Sequence, residues 1–225
     1  AAATVTGTAA EIVASFGNST ITEANDVAIT VNSGTASLTQ ARSMDGYTTG
    51  VVTATIADTR VSDLVGSSPL LDANNNNAFT VTIGTADAEI TAANLNTLNG
   101  LTSVAIEAGN VTQITGTVAV TNTTYAAGAN SQINGLGNEA VVISGESSNT
   151  LSDASTLNTL DGYTTGTVNA GTLTTIQGDL SDLLTAYASN GITGLGNEAI
   201  TLDDTTSIAA TDLNTFCLLY TSDAA

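Results

Sequence analysis

The chain of 225 residues has no histidine, no lysine and no tryptophan, one cysteine, one proline and two cations, Arg42 and Arg60. Those absences remove the usual general base, the Schiff-base amine and the common zinc ligands together. A single thiol, Cys217, excludes an intrachain disulfide, and no Ser-His-Asp or Cys-His triad can be assembled. Paired carboxylates of the glycosidase kind remain possible in principle. A site that cleaves an acidic polysaccharide would want a cation beside the substrate acid, and neither arginine has an obvious acidic cluster as partner. The reading is a non-enzymatic chain with no catalytic residue and no resident cofactor.

Aromatic residues are equally scarce, 4% against 42% hydrophobic in total, so the apolar inventory is Ala, Val, Ile and Leu. Such side chains fill a thin, regular interior rather than a bulky core. The formal charge of -19 repels nucleic acid and anionic lipid surfaces. No apolar run approaches the roughly 20 residues that cross a bilayer, so membrane insertion is not expected. The opening AAATVTGTAAEI has neither a basic start nor an apolar signal core. It already reads as repeat, so the chain is expected to be a fragment of a larger array, with any export signal outside it.

What is present is repetition. LNTLNG ends at Gly100, LNTLDG at Gly162 and SMDG at Gly46, while DLNTF breaks off at Phe216; NGLGNEAV at 134–141 returns as TGLGNEAI at 193–200. Self-similarity of this kind marks a stacked repeat architecture, in which each coil touches only its neighbours. One array over residues 1–216 follows, in units of about 1–45, 46–99, 100–161 and 162–216. The residue before each marking glycine moves from Asp45 to Asn99 to Asp161, and unequal steps put insertions in loops. The clearest insertions are SSPLLDANNNN at 67–77 and GESSNT at 145–150.

Each long unit holds two similar halves with one grammar: a short β-rich run, a small-residue turn, a polar N-cap, then an Ala/Leu-rich helix. Thr8 with Glu11 fits a capping box and Asp179 with Asp182 an acidic start, which predicts helices at about 9–16 and 180–188. Leu180, Leu183, Leu184 and Tyr187 form one apolar stripe on the second. Strands are predicted at 28–31, 79–83, 104–106, 140–143, 168, 173–176 and 199–202, where β-branched residues gather. Strand then helix every 25 to 30 residues or so gives an α/β fold, a parallel solenoid of short strands and short helices. Asp45-Gly46, Asn99-Gly100 and Asp161-Gly162 then close helices with left-handed glycine. The rival reading makes these pairs hairpin turns of an all-β chain, a tandem β-sandwich or β-helix.

Calcium is the ligand that carboxylates and turn carbonyls suit. Asp161, Asn197, Glu198, Asp203 and Asp204 are the best-placed oxygens, although the nonapeptide of calcium β-rolls is missing. The plainer alternative is that these acids cap helices and hydrate the surface, with Asn138-Glu139 and Asn197-Glu198 turning the chain into the next strand. Thr80-Val81-Thr82 and Thr53-Ala54-Thr55 admit an ice-binding face, and equally what any exposed strand face in a threonine-rich chain shows. Asn18, Asn110 and Asn122 begin N-glycosylation triplets, which arise freely in such composition.

After Phe216 the repeat text stops and CLLYTSDAA follows at 217–225. It matches the in-frame translation of a transposase sequencing adapter, so this tail is expected to be foreign to the protein and the source an environmental sequence. The run LNTLDGYTTGTVNAGTLTTIQGDLSDLLTAYASNGITGLGNEAITLDDTTSIAATDLNTF at 157–216 resembles the repeat text of very large secreted and cell-surface proteins of marine cyanobacteria. That resemblance implies an extracellular, structural or adhesive role and carries no catalytic residues. The partners it leaves open are flanking repeats of the same chain, surface glycans and other cells. A calcium- or glycan-binding repeat module is the alternative function.

Overall fold

Short runs of β-branched residues separated by polar turns can bury themselves only by pairing with the next similar run, and the structure, a computed structural model, shows that pairing. It describes residues 4–18, 26–66 and 77–223; most of the 67–77 insertion lies outside these. The first part of the chain carries β1 (Thr4–Thr8), α1 (Ala9–Phe16), β2 (Ala28–Ser33), α2 (Leu38–Tyr47), β3 (Val52–Thr55), α3 (Val61–Val65) and β4 (Ala78–Thr80). There follow β5 (Glu89–Thr91), α4 (Ala92–Asn99), β6 (Ile106–Glu107), β7 (Gln113–Gly116), α5 (Val118–Ala129), β8 (Ile133–Asn134) and β9 (Ala140–Ile143). The last part holds β10 (Thr150–Leu151), α6 (Ala154–Asp161), β11 (Val168–Asn169), β12 (Thr175–Gly178), α7 (Leu180–Ala188), β13 (Ile192–Thr193), β14 (Ala199–Leu202) and α8 (Ala210–Asp223). The helix α8 runs through the segment expected to be foreign to the repeat.

The fold is α/β with parallel strands. The chain divides into two compact units, Ala1–Ala88 with Asn94–Asn110 and Ala127–Gly135, and Glu89–Ala93 with Val111–Ala126 and Leu136–Ala225. In the first, β1-β2-β3-β4 form one sheet and β6-β8 another; in the second, β5, β7, β9, β11 and β13 stand in one row and β10, β12 and β14 in another. Paired residues lie one coil apart in sequence: Ile29 faces Val52, Glu89 faces Gln113, Val141 faces Val168 and Ile176 faces Ile200. This is the register of a solenoid step, about half the spacing between the marking glycines.

Helices form where the grammar calls for them. Thr8 Oγ1 accepts from Glu11 N while the Glu11 carboxylate accepts from Thr8 N, the reciprocal box that starts α1. Ser37 and Gln40 repeat it at α2. On α4, Ala92, Leu95 and Leu98 are buried, and on α6 Ala154, Leu157 and Leu160, the same three-residue spacing on one face. Each fully buried Leu contributes about 1.5–3 kcal/mol. Leu180, Leu183 and Tyr187 of the expected stripe are buried, with Ala186 beside them; Leu184 is half-buried.

One local expectation fails. Gly162 follows α6 with φ -68° and ψ -16°, ordinary right-handed backbone, and its N–H continues the helical pattern to Asn158 O. Gly46 lies inside α2, and neither it nor Gly100 has positive φ. No left-handed cap is needed because the chain leaves α6 through a threonine turn described below. The expected acidic start of α7 is present, with Asp179 at the N-cap and Asp182 in the first turn, although Asp179 makes no side-chain cap bond. The strands β1, β3, β5, β7, β8, β10 and β13 lie outside the predicted set, being short runs such as VTAT and QITG whose small or polar residues do not stand out.

Candidate functional site

Asp-Gly-Tyr-Thr-Thr-Gly, a six-residue exact repeat like GLGNEA at 135–140 and 194–199, is written twice without change, at 45–50 in the first unit and 161–166 in the second. Both copies end a helix and dock on the preceding coil in one way. Thr48 Oγ1 donates to Val27 O and accepts from Gly50 N; Thr164 Oγ1 donates to Glu139 O and accepts from Gly166 N. The tight turn brings the glycine backbone onto the same carbonyl, so that a Cβ at Gly50 would overlap Val27 O and one at Gly166 would overlap Glu139 O. The tyrosine of each phrase stacks on a ring of the previous helix: Tyr47 on Phe16 at 5.2 Å between centroids, Tyr163 on Tyr125 at 5.8 Å.

The aspartates of the phrase also reach across coils. Asp45 Oδ1 accepts from Asn77 Nδ2 at 2.6 Å, and Asp161 Oδ2 accepts from Ser189 Oγ at 2.6 Å. Gly191 fits against Asp161 because it has no Cβ. Three further acids cap the helix of the coil before their own. Val61 N donates to Asp87 Oδ2, Val118 N to Glu146 Oε1 and Leu180 N to Asp204 Oδ2, at 2.6 to 2.9 Å. A carboxylate at a helix start meets both unpaired N–H groups and the positive end of the dipole. The insertion at 145–150 supplies one of these caps, Glu146.

The GLGNEA turns hold their glutamates inside. Glu139 is 0% exposed and Glu198 2%. Tyr125 OH and Gly137 N donate to Glu139 Oε2 at 3.0 and 2.9 Å; Tyr187 OH and Gly196 N donate to Glu198 Oε2 at 2.8 Å each. Both turns lead into the next strand as expected, but the expectation that Glu198 hydrates the surface is corrected, because it is buried. The preceding glycines take positive φ, 126° at Gly137 and 112° at Gly196, which aims their N–H groups back at the carboxylate. Burial first, then the Glu139 carboxylate, holds the Tyr125 phenol well above its usual range.

Among the expected calcium ligands, Asp203 and Asp204 lie together, close to Asp179 and Asp182. Desolvation, then the charges of Asp204, Asp203 and Asp182, lifts the Asp179 carboxyl above its ordinary value. Asp161 is engaged at the end of α6 and Glu198 beneath Tyr187; Asn197 is exposed. Among the described residues no three His, Cys, Asp or Glu side chains form a group that could hold a metal ion. Arg42 does acquire acidic company that the linear sequence hid: it lines one cleft with Asp58 and Asp63. Arg60 is exposed. The amides of Asn110 and Asn122 donate to Ile83 O and Thr156 O; the triplet begun by Asn18 extends outside the described residues. The threonine ladder aligns Thr30 with Thr53 and Thr55 with Thr80.

Comparison with protein-family models, with curated proteins and with solved structures finds no match. Among the described residues no helix is long and apolar enough to cross a membrane. The tyrosine, threonine and serine hydroxyls that dock the coils were missed in the linear reading, although the twice-written YTTG was the signal for them. Chemically, the arrangement supplies hydrogen-bond acceptors to adjacent coils.

Proposed function

We propose that this chain is a non-enzymatic structural or adhesive segment of a large extracellular or cell-surface protein, in which acidic side chains bind coil to coil. The observation that carries this reading is the use of Asp45, Asp87, Glu146, Asp161 and Asp204 as acceptors for donors 24 to 32 residues away in sequence. Residues spent this way hold a stack together and leave little for a reaction centre. The resemblance of residues 157–216 to cyanobacterial surface repeats supports the extracellular placement, and the remaining negative charge keeps such segments soluble and apart.

Excision of residues 168–191, one coil of the second unit, tests the reading. Neighbour-only cohesion predicts a shorter chain that still unfolds cooperatively at a lower temperature. Complete unfolding of the excised chain would instead reveal a common core. Pulling the intact chain should release coils in increments of roughly 90 Å, from about 3.5 Å per residue. Millimolar calcium should leave the melting temperature unchanged; a clear rise would replace this reading with a calcium-binding module.

A further inference from the structure

We infer that the turn at Glu198 is a seat for one more coil bearing Asp-Gly-Tyr-Thr-Thr-Gly, and that Tyr220 of α8 occupies this seat in the coil's place. In both internal copies the seat has the same parts: an aromatic ring on a helix and, 11 or 14 residues later, a backbone carbonyl on a turn. Phe16 with Val27 O receives Tyr47, Thr48 and Gly50; Tyr125 with Glu139 O receives Tyr163, Thr164 and Gly166. Tyr187 with Glu198 O is a third such pair. Its match to Tyr125 with Glu139 extends to the buried carboxylate, the phenol bond and the glycine N–H.

The occupant follows from alignment within the chain. Asn158-Thr159-Leu160-Asp161-Gly162-Tyr163-Thr164 runs in step with Asn214-Thr215-Phe216-Cys217-Leu218-Leu219-Tyr220. Tyr220 therefore stands at the position of Thr164, and its OH donates to Glu198 O at 2.9 Å as Thr164 Oγ1 donates to Glu139 O at 2.7 Å. The hydroxyl reaches the same acceptor from a continued helix rather than from a turn. Around it lies an apolar cleft lined by Ala199, Ile200, Phe216 and Cys217, where the internal copies place a tight glycine backbone. Phe216 and Tyr220 crowd the Tyr187 ring at 5.1 and 5.8 Å, in the part played by Tyr163 against Tyr125.

The inference rests on the coil-stack reading, and the two fail separately: excision of residues 168–191 tests the stack, whereas the following graft tests the seat alone. Residues 217–225 are replaced by a copy of residues 161–169, DGYTTGTVN, and by the same nonapeptide with alanine at its second glycine. The glycine graft is expected to raise the melting temperature of the full chain by about 3–6 °C, the size of one or two added hydrogen bonds in a chain of this length. It should also slow hydrogen exchange at the Ile200 amide, because Val141 N, its equivalent, donates to Thr167 O of the following coil. The alanine graft should do neither, since a Cβ there meets the carbonyl. A glycine graft that fails to fold, gains nothing, or gains no more than the alanine graft overturns the seat.

Discussion

The two copies of Asp-Gly-Tyr-Thr-Thr-Gly sit on different ground. In the first unit the acceptor carbonyl belongs to Val27, a buried apolar residue 2% exposed. In the second it belongs to Glu139, whose own carboxylate is buried and bonded to Tyr125 and Gly137. The docking is nevertheless the same, down to the glycine that leaves no space for a Cβ. What the coil recognises is a backbone carbonyl and a ring, and the side chain beneath them is free to change. The second unit adds a polar lock under a turn that the first builds with hydrocarbon.

The largest test of this equivalence is Gly50→Ala against Gly166→Ala. Each should lose about 3 kcal/mol in urea denaturation, since the new methyl must displace backbone rather than a flexible side chain. Markedly unequal losses would show that the two seats differ after all. Next comes Glu139→Ala, expected to cost about 2–3 kcal/mol by leaving the Tyr125 hydroxyl and the Gly137 amide without their acceptor. A loss below about 1 kcal/mol would make the lock an ornament of the second unit. Thr48→Val and Thr164→Val should each cost about 1–1.5 kcal/mol, with similar values in the two units.

Smaller effects separate helices that cap themselves from those capped by a neighbour. Thr8→Ala breaks the box of α1, and Asp204→Asn weakens the start of α7; each should cost about 1 kcal/mol. Only the second effect should shrink as salt is raised, because it depends on a carboxylate acting at a helix start. Acid titration gives the smallest and most directional contrast. Backbone and side-chain bonds from Thr8 hold Glu11 below its ordinary 4.5, so its contribution is present above that pH and fades as pH falls through the lowered value. Asp179 is held above its ordinary 3.8, so its contribution is complete below that pH and fades as pH rises through the raised value. Glu11→Gln and Asp179→Asn should therefore flatten the pH dependence of stability with opposite sign.

The legibility of these features varied with how local they are. The box of Thr8 and Glu11 and the stripe of Leu180, Leu183 and Tyr187 depend on residues within two turns of each other, and the helices at 9–16 and 180–188 could be read directly. Strands of two residues, such as Ile133–Asn134 and Ile192–Thr193, have too little alternation to be recognised and exist because an adjacent coil pairs with them. The glycines of the Asp-Gly and Asn-Gly pairs suggested left-handed caps, yet the structure gives no conformational reason for glycine at Gly46. Positive φ appears instead at Gly137 and Gly196, where an amide must turn back to a buried glutamate.

From the order of its residues alone, the chain was committed to short coils with a thin aliphatic interior, because repeated small and β-branched residues leave nothing bulky to build a common centre. The acids were visible there too, but their partners were not. Stacking decided that Asp204 would cap Leu180, that Asp161 would hold Ser189 and that Glu198 would vanish beneath Tyr187. A hydrogen bond needs its two atoms within about 3 Å, and only the superposition of one coil on the next brings together groups more than 20 positions apart.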